Sequence, residues 1–241
     1  MSEETTDRAV IYAGEGRIAT IKLDVPQRGN ALSIPLMREF RAALQAAQRD
    51  PDVAVILLRA SGRHFCTGAD LGWAAAREQG NEESWREGNE ALVALLHELY
   101  GLAKPVVARV NGTVLGGAVA VLCLCDDVVA LDEARWGLPE LKLGLVPSAI
   151  VPVLRQMAVP HVIRRLVFDQ APWTSVEAQG FGIVTQVATA QTLDSHLRAR
   201  LDAWLALPSA AVAATKRWMR ELDAEAFRRA LETGREHVAS L

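Results

Sequence analysis

The stretch Asn111–Asp126, NGTVLGGAVAVLCLCD, decides how the rest of the chain is read. Its adjacent glycines, Gly116 and Gly117, open a run of small and apolar residues with no polar face, the pattern of a short buried helix whose first turn is glycine. The first N–H groups of a helix have no intrahelical partner, the helix dipole adds positive potential there, and a residue without Cβ lets a ligand oxygen reach the peptide itself. Such a helix start suits an oxyanion. Paired glycines also serve simple close packing of a helix on a strand, so this stretch alone leaves both roles open.

A second stretch shifts the balance. Arg63–Leu71, RHFCTGADL, follows the apolar run Val53–Leu58. The order is strand, glycine-bearing turn, then a helix start capped by Asp70, which places more free N–H groups, Ala69's among them, at a strand's carboxyl end. Two N–H donors from two separate turns are what an oxyanion hole requires.

With these stretches in hand, the chain resembles the crotonase superfamily of enoyl-CoA hydratases and isomerases. The resemblance rests on Asn30-Ala31-Leu32, on Phe65–Leu71, on Asn111-Gly112 with Leu115-Gly116-Gly117, and on Cys125-Asp126 followed by Gly137-Leu138-Pro139-Glu140. It implies an α/β fold, the crotonase spiral of β-β-α units, over residues 1–190, with residues 191–241 a helical oligomerisation or lid region of the same domain. It implies that the N–H groups of Ala69 and Gly117 hold a thioester carbonyl oxygen as it gains enolate character, and that Glu140 exchanges a proton with substrate or water. Gly68, Gly116, Ala31, Asp70 and Ala120 are the expected substrate-binding positions. No metal or cofactor is implied beyond the CoA or phosphopantetheine that carries the acyl group, and the expected partners are acyl-CoA or an acyl carrier protein and further copies of the chain in a homotrimer or hexamer.

Bulk composition is consistent with a single large α/β domain. Of 241 residues half are hydrophobic, ample for a core, and the net charge is only −3. The 26 basic residues are dispersed, which gives no nucleic-acid footprint. The apolar stretch Val114–Cys125 is too short to span a bilayer, and the acidic start Met1-Ser2-Glu3-Glu4 is unlike a secretory signal, so a cytoplasmic protein is expected. Cys66, Cys123 and Cys125 are an odd count at positions read as buried, and Cys123-x-Cys125 lacks a second ligand pair, so neither a disulfide framework nor a zinc site is expected. Cys66 lies beside the proposed hole with His64 two residues away, on the same face of a strand or extended turn, but the resemblance gives that thiol no chemical role.

Periodicity supplies the remaining elements. Residues 9–24 alternate around Gly14-Glu15-Gly16 as a β-hairpin, and Ser33 caps a helix running to about Gln48. Residues 53–59, 106–110 and 128–131 read as strands and 90–102 as a helix, an alternation that means parallel strands with crossover helices. The polar segment 71–89, with Trp73 and Trp85, reads as a loop, either solvated or a flap over the acyl pocket. Helical patterns dominate from Pro147, and 223–241 is amphipathic with Phe227, Ala230 and Leu231 inward.

Glu140 is the candidate proton carrier. It stands between Leu138 and Leu141 just after Pro139, so a rigid carboxylate in apolar surroundings is expected, its pKa raised toward neutrality by desolvation. The competing role is a surface glutamate paired with Lys142 or Arg135. Typical hydratases of the superfamily carry a second glutamate three residues beyond the second glycine; here that residue is Ala120, and a methyl group cannot orient water. This departure, with the segment Gly144–Pro152 and Ala214–Met219, resembles the polyketide β-branching branch, whose members dehydrate a 3-hydroxy-3-methylglutaryl group on an acyl carrier protein. A single-glutamate double-bond isomerase and a non-catalytic acyl-thioester-binding protein of the same fold are the alternatives.

Overall fold

The computed structural model describes residues 8–70, 72, 75 and 80–239. It opens with a hairpin of β1 (Val10–Glu15) and β2 (Ile18–Leu23), paired antiparallel from Val10 opposite Leu23 to Glu15 opposite Ile18. Next comes α1 (Ile34–Arg49), whose Ser33 side chain accepts the Leu36 N–H at 3.3 Å and whose Leu36, Met37, Phe40, Leu44 and Ala47 are buried. Three β-β units follow, and each passes from one sheet to another within a few residues. β3 (Val55–Ala60) leads to β4 (His64–Cys66), β5 (Val106–Val110) to β6 (Thr113–Leu115), and β7 (Asp127–Leu131) to β8 (Arg135–Gly137).

Among the described residues the first sheet has the order β1-β2-β3-β5-β7-β10, with β10 (Gln186–Ala188) at the far edge; every pairing beyond the hairpin is parallel. The second sheet is β4-β6-β8-β9, where β9 (Trp173–Thr174) runs antiparallel to β8. Helices close the first two units: α2 (Glu82–Gly101) after β4 and α3 (Gly117–Cys123) after β6. This repeated β-β-α spiral is the architecture expected from the sequence.

The remaining helices are α4 (Ile150–Met157), α5 (Pro160–Phe168), α6 (Ser175–Gly180), α7 (Leu193–Leu205) and α8 (Ser209–Ala239). One core fills the space between the two sheets, α1, α2 and α3. α7 covers the outer face of the first sheet, laying Leu193, Leu197 and Leu201 on Val55, Leu57, Val107 and Val129. α8 is tied to the body by an ion pair of Lys216 with Asp126, by Arg220 donating to the Leu102 carbonyl at 2.6 Å, and by the fully buried Phe227, whose ring centroid is 4.2 Å from that of Tyr100. Phe227 and Leu231 do face inward, as the tail's periodicity predicts.

Two expectations are corrected. Residues 64–66 are a strand of the second sheet rather than part of a turn. Helix α2 starts at Glu82, not at 90: Asn81 caps it by accepting the Ser84 N–H at 3.1 Å, and Trp85 belongs to it. The polar composition of 82–89 is that of a helix end with a solvated face, which periodicity alone does not separate from a loop. Trp73, with residues 71, 74 and 76–79 of the segment read as a loop or flap, lies outside the described residues. No helix among the described residues is long and apolar enough to cross a membrane.

Candidate active site

The site forms where three parallel strands of the second sheet end side by side. β4 is followed by Thr67-Gly68-Ala69-Asp70, β6 by Gly116-Gly117, and β8 by Leu138-Pro139-Glu140. Residues far apart in sequence are therefore neighbours at one sheet edge, as at the carboxyl ends of strands in other parallel sheets.

The first turn is stitched to the loop before α1. Leu32 N–H donates to the Gly68 carbonyl at 2.8 Å, Thr67 N–H to the Gly29 carbonyl at 3.1 Å, and Leu32 pairs with Ala69 in a short parallel bridge. Ala31, half-buried, sits beside that bridge. Asp70 uses both carboxylate oxygens internally, one accepting from Arg28 at 2.8 Å and the other from the Gly72 N–H at 2.8 Å. Its part is to pin the turn.

The second turn is built differently. Gly116 has φ 56° and ψ −128°, a backbone that only glycine adopts readily, and its N–H donates to the Gly137 carbonyl at 2.9 Å. A Cβ on Gly116 would lie 2.5 Å from Glu140 Oε1, so the missing side chain is the space in which the carboxylate rests. The two turns also touch: a Cβ on Gly68 would lie 2.8 Å from the Leu115 carbonyl oxygen. Gly117 begins α3, packed against Leu32 and Leu92, and Ala120 stands one helical turn further in, wholly buried. Among the described residues neither the Ala69 nor the Gly117 N–H donates to a protein acceptor.

Glu140 opens a short 3-10 turn, Glu140–Leu143, which follows Pro139 and ends at Gly144, whose N–H donates back to the Glu140 and Leu141 carbonyls. Burial pushes its carboxyl up to about 7, offset in part by its own backbone N–H. Its Oε2 is buried and has no hydrogen-bond partner among the described residues. The surface ion pair does not form: Lys142 donates to the Gln170 carbonyl at 2.8 Å and Arg135 to the carbonyls of Glu133 and Ala134. The apolar setting is one-sided, since Leu138 is buried but Leu141 is exposed. A carboxyl poised near neutrality beside two N–H donors can both take and return a proton at a carbon next to a polarised carbonyl.

The enoyl-CoA hydratase/isomerase family model matches residues 13–240. The chain belongs to that family. It is thus an enzyme of the crotonase superfamily, of enoyl-CoA hydratase/isomerase type. It is similar to the 2,3-dehydroadipyl-CoA hydratase of Escherichia coli strain K12, 31% identical over 180 residues that make up 74% of this chain and 68% of that protein. It is also similar to enoyl-CoA delta isomerase 2 of Rattus norvegicus, 27% identical over 220 residues, 90% of this chain and 56% of that one. In fold it matches the crystal structure of an enoyl-CoA hydratase from Bacillus halodurans with a TM-score of 0.89, covering 96% of this chain and 94% of the other at 23% identity.

Cys66 is fully enclosed, and burial pushes its thiol up to about 12, the opposite of what a nucleophile needs. Cys123 is raised likewise to about 12. Sequence reasoning missed Leu92 and Arg28. Leu92 was legible only as one member of a helical stripe, and the contact of Arg28 with Asp70 spans 42 positions and leaves no local pattern.

Proposed function

We propose that this enzyme is a one-carboxylate dehydratase of acyl thioesters, acting on a 3-hydroxy-3-methylglutaryl group carried on an acyl carrier protein or CoA in polyketide β-branching. The supporting observation is the pairing of Glu140, its carboxyl raised to about 7 in the slot left by Gly116, with a buried methyl at position 120. The N–H groups of Ala69 and Gly117 hold the thioester oxygen while the Glu140 carboxylate takes the proton from the carbon next to the carbonyl. The acid so formed then gives that proton to the leaving 3-hydroxyl as the C–O bond breaks, so that a double bond and one water result. Expelling water from a tertiary carbon needs less guidance than placing it. A second carboxylate is then dispensable. No bound cofactor is needed, and the chain works as a homotrimer or hexamer, for which exposed Trp218, Met219 and Leu222 on α8 offer apolar surface.

A second reaction, double-bond isomerisation, is favoured by the same lone glutamate, which would return the proton two carbons further along; the rat relative is named an isomerase. Assay of 3-hydroxy-3-methylglutaryl, crotonyl and 3-enoyl thioesters, each on CoA and on carrier protein, separates the two. Dehydration of the first is expected to dominate, and Ala120→Glu should not improve it, because a second buried carboxylate raises the pKa of its neighbour. Crotonyl-CoA hydration by wild-type protein at about 10 per second or faster, a median enzyme turnover, without dehydration would overturn the proposal.

A further inference from the structure

The chain crosses from the first sheet to the second at Ser61–Arg63 and again at Asn111-Gly112, and the two crossings lie against each other. Asn111 Nδ2 donates to the Gly62 carbonyl at 2.7 Å. Gly112 is packed so closely that a Cβ there would collide with the Arg63 carbonyl and come within 3.4 Å of His64 Cα. From the other side stands Asn30, fully buried and with φ 52°, the one non-glycine residue in the left-handed region among those described. Its Oδ1 accepts the Val25 N–H at 2.8 Å, and its Nδ2 donates to the Ser61 carbonyl at 2.9 Å and the His64 carbonyl at 3.0 Å. Asparagine tolerates that backbone better than other side-chain-bearing residues, but burying an amide there is sensible only if its hydrogen bonds are met.

Two carbonyls of one crossing, those of Ser61 and Gly62, and the carbonyl of His64 at the start of β4 are thus held by two side-chain amides. The crossing leads directly into β4, whose far end carries Ala69, while Asn111 leads directly into β6, whose far end carries Gly117. Between these strands the ladder is thin: His64 opposite Thr113 and Cys66 opposite Val114, with an irregularity between them. So short a ladder does not by itself hold a register. A slip of one residue displaces a strand by about 3.3 Å, more than the whole length of a hydrogen bond to an oxyanion.

We propose that Asn30 and Asn111 act as a two-sided clasp that sets the height of the Ala69 donor relative to the Gly117 donor, and are positioning residues for the reaction although neither belongs to the donor turns. The proposal rests on the oxyanion-hole assignment above. Asn30→Asp keeps size and the bond from Val25 but turns a carboxylate oxygen toward two carbonyls; Asn111→Ala removes the amide from a half-buried position, outside the hydrophobic core. The probe is butyryl-CoA labelled with ¹³C at the thioester carbonyl, which has no double bond to hydrate and no hydroxyl to lose. Infrared difference spectra of the bound probe read how far the carbonyl stretch is lowered. Wild-type protein should lower it, and each variant should lose about half of that shift or more, with kcat for the active thioester down about tenfold or more and KM within about threefold. A variant that is merely less stable would keep the shift and the turnover of its folded fraction. Folded variants with the wild-type shift and kcat overturn the clasp; a wild-type protein that leaves the stretch unmoved overturns the oxyanion hole itself. Should Asn30→Asp fail to fold, Asn111→Ala decides alone.

Discussion

The two turns proposed as donors each leave one N–H without a protein acceptor among the described residues, yet they are held by different forces. The Gly117 donor heads a helix sunk in the core, where Ala118, Val119, Ala120, Val121 and Leu122 are 0–2% exposed. The Ala69 donor sits on a loop held by backbone hydrogen bonds to another loop and by the pair of Asp70 with Arg28, whose side chain is 61% exposed. Hydrophobic packing is non-directional but strong, whereas hydrogen bonds are directional and individually weak. The helix therefore serves as the fixed reference, and the loop is the donor whose placement depends on polar detail.

The largest effect should come from the carboxylate that rests on the helix side. Glu140→Gln keeps shape but removes the proton carrier, and kcat is expected to fall by roughly two to four orders of magnitude with binding nearly kept. The same change should stabilise the protein in alkaline buffer. Because the folded chain holds this proton more tightly than the unfolded one, the contribution to stability is fully present below about pH 4.5 and is lost as pH rises through about 7. That difference corresponds to about 3 kcal/mol, so thermal unfolding at pH 8 should show the variant melting above wild type, and at pH 4 the two should converge. A variant that is inactive because it is unfolded would contradict both statements.

Next in size is Gly117→Pro, which deletes the helix-side donor at the first helical position, where the missing N–H breaks no helix bond and the added ring must displace the Leu32 side chain slightly; a loss of about a hundredfold or more in kcat with cooperative melting preserved is expected. Near-normal turnover in a folded variant would remove Gly117 from the hole. Smaller effects test the supports of the two turns. Leu122→Ala, in the wall of the fixed helix, should cost about 2–5 kcal/mol in denaturant unfolding, while Arg28→Ala should cost less, about 1 kcal/mol, because the guanidinium is largely exposed although its partner Asp70 is buried and keeps the Gly72 N–H. If kcat falls more for Arg28→Ala than for Leu122→Ala despite that order in stability, the loop-side donor is the adjustable one; the reverse result breaks the comparison.

Much of this was legible in the residues. The paired glycines before an unbroken apolar run announce a buried helix start, and Leu138-Pro139 before Glu140 announces a desolvated carboxylate, because local chemistry dictates both. What escaped were relations between distant segments. Nothing near Gly116 in the sequence says that Glu140 fills its missing side chain, and nothing near Asn81 distinguishes a solvated helix end from a loop until the cap is seen. The short strand His64–Cys66 was hidden for the same reason, since three residues are too few for an alternation to show.

The space beside Gly116 also constrains how this site can change over generations. Any side chain gained there meets Oε1 of Glu140 and is strained by its own backbone, so a single substitution at 116 costs the acid and the helix start together. Position 120, buried and one turn away, is free of both penalties. Under the proposed function, a change of reaction is more easily reached by substitution at Ala120 than by any change in the glycine turn that carries the proposed donor.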